Sequence, residues 1–476
     1  MSTIPKRQDH PGAVPFSGYY QTSVPAPDPE ITSSGPGTPL GEYMRRFWQP
    51  ICFSEHLKDV PHPVRILGED LVAFRDGSGA VGVLHRNCCH RGASLEFGII
   101  QQHGIRCPYH GLQFAPDGTL IDVPCERDGG ARLRTRLAQG AYPAFERDGL
   151  VFAYMGPPER VPPFIEYDAF QKSGGTRLVP FSNVFPCNWL QTMDNIADQI
   201  HTSFLHNPPM LYGGSVPEEL DWKRLALVSF AKVPVLDYVA LREGTAMAFI
   251  AGRRVSEERV WIRINDLIVP NVSQHASLFE DGAQRRLFHR VHMSRWYVPV
   301  DDTHSVILGW RMFGPEIDPK GLGDEAQVGW DKMDFLRGQV GDRSYEESRR
   351  LPGDWEVIVS QRPIAIHALE NPLEGDVGVY LLRKLLREAI RGKNPGAAPE
   401  RMHERARAGR TSFCYTQNTV LNVRARPSEK EDQGVIKTIG RRIVDIMAEA
   451  DSLDAAERVR FVHERLAELE RTAGSL

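Results

Sequence analysis

Two short pairs of metal-binding side chains constrain this chain more than anything else in it. They are Cys88-x-His90 and Cys107-x-x-His110, separated by sixteen residues, with Gly111 closing the second. Each pair offers one thiolate and one imidazole. A Rieske-type [2Fe–2S] centre takes two Cys on one iron and two His on the other. A structural zinc site could also take two of each, but zinc fingers group Cys with Cys and His with His. One of each per hairpin fits two loop tips clamping a cluster from opposite sides, each giving one ligand to each iron. Cys89, beside the first pair's ligands, reads as a spacer turned away from the cluster.

At 476 residues the chain is too long for a small electron carrier, and its length predicts two to three domains. Its 57 basic residues are balanced by 61 acidic ones, so no basic surplus points to nucleic acid or an anionic membrane. The opening residues lack the apolar core of a secretory signal, and no apolar run approaches the roughly 18 residues of a membrane helix. Seven sparse cysteines predict a reducing, cytoplasmic setting without a disulfide framework.

Residues 1–37, rich in Pro, Gly, Ser and Thr with Tyr19 and Tyr20 as the main apolar features, predict an extended arm. Thr38 and Pro39 open a short helix expected to run to Trp48. From there to residue 160, strands broken by Gly- and Asp-containing turns predict a small antiparallel β domain, 38–160, with both ligand pairs at loop ends. The remaining residues, 161–476, start with a helical stretch from Asn188 that Pro208 and Pro209 should end. Alternating strands fill 220–314. An amphipathic helix at 377–390 is expected to turn Leu381, Leu382, Leu385 and Ile390 to the core, and one or two packed helices form the tail. The fold class is α+β. No glycine-rich dinucleotide or Walker loop is present, so electrons must come from another protein.

A second constellation lies in Asp198-x-x-His201-x-x-x-x-His206. Two His and one carboxylate on one face, with positions left open, is the arrangement of non-haem Fe(II) oxygenases. Five residues along an ideal helix rotate the second imidazole by about 140°, so the helix must widen or end near His206. Asp198 could be a ligand or a partner of a ligand's outer nitrogen. The remaining carboxylate should come from far along the chain. Asp376 is the best candidate, with Glu370 and Glu374 as rivals that spacing does not separate. Without a metal, Asp376 would be a helix N-terminal acid, and His201 and His206 ordinary surface or core histidines.

With these motifs in place, the chain resembles the Rieske non-haem iron aromatic-ring-hydroxylating oxygenases, specifically the large subunit of the phthalate 4,5-dioxygenase and dehydrodivanillate O-demethylase branch. The stretches GPGTPLGEYMRRFWQP, LGEDLVAFRD, CPYHGLQF, NWLQTMDNIADQIHTSFLH, VPVDDTHS and LEGDVGVYLLRKLL carry the likeness. The resemblance implies a catalytic domain with a curved, helix-grip-like antiparallel sheet covered by helices. It implies a [2Fe–2S] cluster on Cys88, His90, Cys107 and His110, and a mononuclear Fe(II) on His201, His206 and Asp376. Asp198 becomes an inter-subunit electron bridge, which in turn implies a head-to-tail homotrimer.

The expected activity is that of a terminal oxygenase. It would take electrons from a reductase or ferredoxin and use O2 to hydroxylate, O-demethylate or cis-dihydroxylate an aromatic, carboxylated substrate. Arg253, Arg254, Arg263, Arg290 and Arg295 are candidate carboxylate anchors, although arginines on strands are more often solvated. The alternatives are a non-catalytic Rieske electron-transfer protein, or an oxygenase acting on a non-aromatic substrate.

Overall fold

The fold is that of a computed structural model describing residues 23–217, 230, 232–288 and 291–475. The expected arm therefore lies outside the described residues as far as residue 22, Tyr19 and Tyr20 included. Its described end is docked on the rest of the chain. Pro29–Thr32 makes one helical turn capped by Asp28, with Ile31 fully buried. The next helix, capped by Thr38 through Gly41 N–H, covers only Pro39–Met44, and a strand, Trp48–Phe53, takes over where helix was expected.

Three small antiparallel sheets follow. One joins His62–Ile66, Glu69–Arg75, Val81–His85 and Ala141–Tyr142. A second is built from the short strands Ile99–Ile100, Ile105–Arg106, Gln113–Phe114 and Leu120–Asp122. The third pairs Leu150–Tyr154 with Trp48–Phe53 and Ala144–Arg147. In the first sheet the hairpin turn is Leu67-Gly68, both at positive φ (49° and 75°), as a two-residue hairpin of the right twist requires. A leucine tolerates this strained backbone because its side chain is fully buried and the turn is bonded elsewhere. Leu67 N–H donates to Pro299 O at 2.8 Å and Gly68 N–H to Val300 O at 3.0 Å, tying the hairpin to the larger sheet.

Among the described residues, that larger sheet has eight antiparallel strands. Along its path run Arg177–Phe185, His304–Phe313, Val291–Asp301, Val272–Ala276, Arg259–Ile268, Ala246–Ser256 and Val235–Leu241, with Gln417–Asn422 also paired to Arg259–Ile268. Alternation divides its residues between two faces. Gly252 and Ile262 face the helix Glu429–Glu449, whose Ile436 packs on Gly252. A second tail helix, Ala455–Thr472, packs beside it. On the opposite face lie the helices Trp189–Ala197 and Val377–Ile390. The latter buries Gly378, Leu382, Leu385, Leu386 and Ala389, so its inward stripe is turned slightly from the expected one, leaving Leu381 and Ile390 half-buried.

Candidate metal centres

The two loops of the first centre repeat one construction. Cys88 N–H donates to Ala93 O (2.9 Å) and its carbonyl accepts from Gly92 N–H (2.9 Å). Cys107 N–H donates to Leu112 O (2.8 Å) and its carbonyl accepts from Gly111 N–H (3.0 Å). In both, a glycine four residues after the cysteine closes the turn, at φ 75° for Gly92 and 76° for Gly111. Substituting Gly111 would add strain on two counts, since a Cβ there would stand 2.7 Å from Pro124 Cγ.

The loops carry their ligands in an ordered way. Cys88 and Cys107 are buried in an apolar cluster with Val72, Phe74, Leu84 and Phe114, whereas His90 is exposed and His110 half-buried. The two imidazoles meet at the tip with ring centroids 4.5 Å apart. Burial, reinforced by the neighbouring Cys107, pushes the Cys88 thiol up to about 12. Two sheltered thiols and two imidazoles at the surface make a donor set that fits a Rieske cluster with its sulfur ligands inside and its histidine edge outside. Cys89 is exposed, and its N–H donates to Gln139 Oε1 at 2.7 Å.

The second centre forms where the Trp189–Ala197 helix stops. Asp198 leaves the helical region (φ −87°, ψ 104°), and a separate turn of helix, Thr202–Leu205, follows. His201 and His206 stand at the two ends of that turn, with ring centroids 5.4 Å apart. The break resolves the five-residue spacing. Pro208 and Pro209 then begin another short helix, Pro208–Leu211, instead of ending the first.

The carboxylate beside these histidines is Asp354, not the expected Asp376. His201 Nε2 lies 3.4 Å from Asp354 Oδ1 and His206 Nε2 3.3 Å from Oδ2, and one ligand atom from each residue falls within 4.8 Å of the others. Asp354 is the first residue of the helix Asp354–Val359 and is buried at 8 % exposure. Gln339 Nε2 and Asn195 Nδ2 donate to its oxygens. Burial works to raise its pKa, but His206 and His201 outweigh that and hold the carboxyl well below the usual range. Asp376 has the helix-terminal role instead: it precedes Val377–Ile390, and its Oδ2 accepts from Leu373 N–H at 2.7 Å. Glu370, a rival candidate, pairs with Arg383, which also grips the buried Asp194 at 2.6 Å.

Two imidazoles and a carboxylate, all buried or nearly so, fit a mononuclear non-haem iron. The buried His206 Nδ1 has no hydrogen-bond partner, and His201 Nδ1 approaches Asp198 O. Asp198 itself turns its carboxylate back to Ile200 N–H (3.0 Å), while its side chain stays 34 % exposed. Asp198 and His201 line an open cavity of about 770 Å³ that also reaches Asp376.

Asp354 was not legible locally. Gly353-Asp354 and Gly375-Asp376 are the same dipeptide at the start of a helix, and only the tertiary fold distinguishes them.

Residues 47–140 match the family model of the Rieske [2Fe–2S] domain. Along 458 residues, 96 % of each chain, the protein is 49 % identical to the tert-butanol monooxygenase / tert-amyl alcohol desaturase oxygenase subunit of Aquincola tertiaricarbonis. It is 36 % identical to the phenoxybenzoate dioxygenase subunit alpha of Ectopseudomonas oleovorans, covering 81 % of this chain and 90 % of that one. Identity to the 5,5'-dehydrodivanillate O-demethylase oxygenase subunit of a Sphingobium species is 40 %, with 77 % and 81 % covered. Among solved structures, Pseudomonas putida CBB5 NdmA with caffeine shares the fold at a TM-score of 0.52 and 18 % identity, covering 76 % of this chain and 95 % of that one.

Proposed function

The chain belongs to the Rieske non-haem iron oxygenases as a large oxygenase subunit, and from that premise we propose how its residues divide the work. Oxygenases of this kind carry a [2Fe–2S] cluster and a mononuclear iron, and use O2 with electrons from a reductase or ferredoxin. Here Cys88, His90, Cys107 and His110 hold the cluster, in a unit spanning 38–160. His201, His206 and Asp354 hold the iron, in the unit 161–476. The observation that carries this assignment is the convergence of those three donor atoms within 4.8 Å, downstream of a cluster-binding domain in the same chain.

A bound ferrous ion supplies Lewis acidity and redox chemistry towards O2. The chain's own groups do the rest. Cys88 and Cys107 would hold a cluster from the buried side, and His90 and His110 from the surface. Asp198, partly exposed on the open cavity next to His201, receives the histidine edge of a neighbouring subunit and serves as the electron bridge. That role requires a head-to-tail ring, a homotrimer. The seven free cysteines accord with a cytoplasmic setting, and no helix of the described residues is long and apolar enough to cross a membrane.

The substrate is an aromatic carboxylate that is hydroxylated, O-demethylated or cis-dihydroxylated. The relatives named for phenoxybenzoate and 5,5'-dehydrodivanillate support this reading. A second reading, oxidation of a tertiary alcohol, is favoured by the 49 % identity to a relative named for tert-butanol.

The test is iron content and substrate-dependent O2 uptake in three variants. His201→Ala and Asp354→Asn should lose the mononuclear iron and all coupled uptake while keeping the reddish-brown cluster. Asp376→Asn should keep the iron and most of the activity. Uptake that survives His201→Ala sinks the oxygenase assignment; iron lost from Asp376→Asn but kept by Asp354→Asn restores Asp376 as the ligand.

A further inference from the structure

The two loops that carry the cluster ligands differ at one position that their shared construction brings out. Matched from ligand cysteine to closing glycine, Cys89 of the first loop stands where Pro108 stands in the second. Pro108 has no N–H to give. Cys89 has one, and it is taken: it donates to Gln139 Oε1 at 2.7 Å, across fifty residues of sequence. The following amide, His90 N–H, does bond to the Cys88 sulfur and works to lower its pKa. In both loops, then, the residue after the ligand cysteine has no N–H to spare, once by covalent structure and once through a distant side chain.

Gln139 is buried at 3 % exposure, and both polar atoms of its side chain are engaged. Besides Oε1 on Cys89 N–H, its Nε2 donates to His85 O at 2.8 Å and to Asn87 O at 2.9 Å. The amide can point only this way, because reversed it would set N–H against N–H and an oxygen against two carbonyls. Its backbone is fixed from two sheets. Gln139 N–H donates to Gly118 O (2.9 Å), in the turn between Gln113–Phe114 and Leu120–Asp122. Its neighbour Gly140 accepts from His85 N–H (2.8 Å), at the end of Val81–His85. The packing around it is tight: a Cβ at Gly118 would stand 2.1 Å from Gln139 O, and one at Gly140 2.4 Å from His85 Nδ1. A buried amide with its bonds made and its backbone pinned is a rigid support for the loop it touches.

We propose that Gln139 is a positioning residue for the cluster, which engages the Cys89 N–H, keeps that donor off the ligand sulfurs and so holds the reduction potential down. An N–H bonded to a cluster sulfur favours the reduced, more negative form and raises the potential. Gln139 does for the first loop what the missing N–H of Pro108 does for the second. A lower potential leaves the reduced centre a stronger one-electron donor to the iron site. The inference rests on the assignment of Cys88, His90, Cys107 and His110 to a [2Fe–2S] cluster, and it adds a residue that lies outside both ligand loops.

Redox titration of the full-length holoprotein, followed by visible and EPR spectra, tests it in a double-mutant cycle. Cys89→Ala is the reference, since Cys89→Pro removes the thiol as well as the N–H. With Gln139 in place that N–H is already withheld, so Cys89→Pro should have the potential of Cys89→Ala. Gln139→Met keeps the side chain's length but not its amide. Added to Cys89→Ala, it should raise the one-electron equilibrium about tenfold, which is ~59 mV. Added to Cys89→Pro, it should raise the potential far less, because no N–H remains to be released. A potential that Gln139→Met leaves unmoved, or moves equally in both backgrounds, would overturn the role. So would a Cys89→Pro potential about 59 mV or more away from that of Cys89→Ala. If Gln139→Met loads no cluster, the comparison of Cys89→Pro with Cys89→Ala decides alone. A wild type without a Rieske spectrum removes the cluster assignment and this role with it, whereas an intact spectrum with an unmoved potential removes only the role of Gln139.

Discussion

Glu69 is a carboxylate whose neighbours overrule its burial. Burial raises its pKa, but His85 (3.1 Å), Tyr142 (2.8 Å) and Arg45 pull harder the other way and bring it down to about 2. For a depressed acid, the stabilisation is fully present above its unfolded pKa and is lost as pH falls through the folded one. Wild type should therefore exceed Glu69→Gln in stability at about pH 5.5, and the gap should narrow steadily towards about pH 3. Chemical denaturation of both proteins across that range measures it; a gap independent of pH would show that Glu69 acts through packing alone. At this scale the sequence was informative where residue type and spacing are themselves the chemistry. Cys88, His90, Cys107, His110, His201 and His206 could be picked out because each pair sits in one local segment. Asp354 could not, because its distinction from Asp376 lies in which segment the fold carries to the histidines. That the buried Arg253 and Arg263 bond only to backbone carbonyls among the described residues was equally invisible, since partnership is a property of the packed interior.

Among elements, periodicity was a good guide to type and a poor one to limits. The strands between 235 and 313 and the helix Val377–Ile390 follow their alternation and amphipathic stripe. The helix expected to run to Trp48 stops at Met44, because Trp48–Phe53 is claimed as a strand by Leu150–Tyr154. Local propensity gives way there to tertiary pairing. Close approach between elements is equally hidden from pattern reading. The helix Glu429–Glu449 lies so near the sheet that a Cβ at Gly252 would stand 2.2 Å from Ile436 Cγ2 and 3.0 Å from Ile262 Cδ1. Gly252→Ala should cost about 1–3 kcal/mol through overpacking. In an Ile436→Ala background, which removes that Cγ2, Gly252→Ala should cost less, as a double-mutant cycle would measure; strict additivity would place the strain elsewhere.

For the whole molecule, the proposed bridge through Asp198 and the proposed head-to-tail ring would make activity a property of the assembly. On the proposed ligand assignments, chains carrying His201→Ala should keep a cluster but no iron, and chains carrying His90→Ala should keep an iron site but lose the cluster. Each is expected to be inactive alone. Coexpressed as mixed rings, they should regain a substantial fraction of substrate-dependent O2 uptake, because a cluster from one chain can serve an iron in the next. Mixed rings as inactive as the parents would confine electron transfer to a single chain.

The segment 28–34 also bears on how this protein is made. Trp189 Nε1 donates to Ile31 O (3.2 Å), Asn188 Nδ2 to Thr32 O (2.8 Å), and Ser34 N–H to Asp302 Oδ1 (2.8 Å). Arg387 and Arg391 close on Asp28 and Glu30. Asp28 and Glu30 thus find partners that are synthesised only after more than 350 further residues. The helix that leads into the iron site is capped by Asn188, whose own side chain is engaged by this early segment. Assembly cannot proceed in the order of synthesis. The segment 28–34 must wait, its apolar Ile31 uncovered, and the iron site reaches its final form only when the two ends of a long loop have closed.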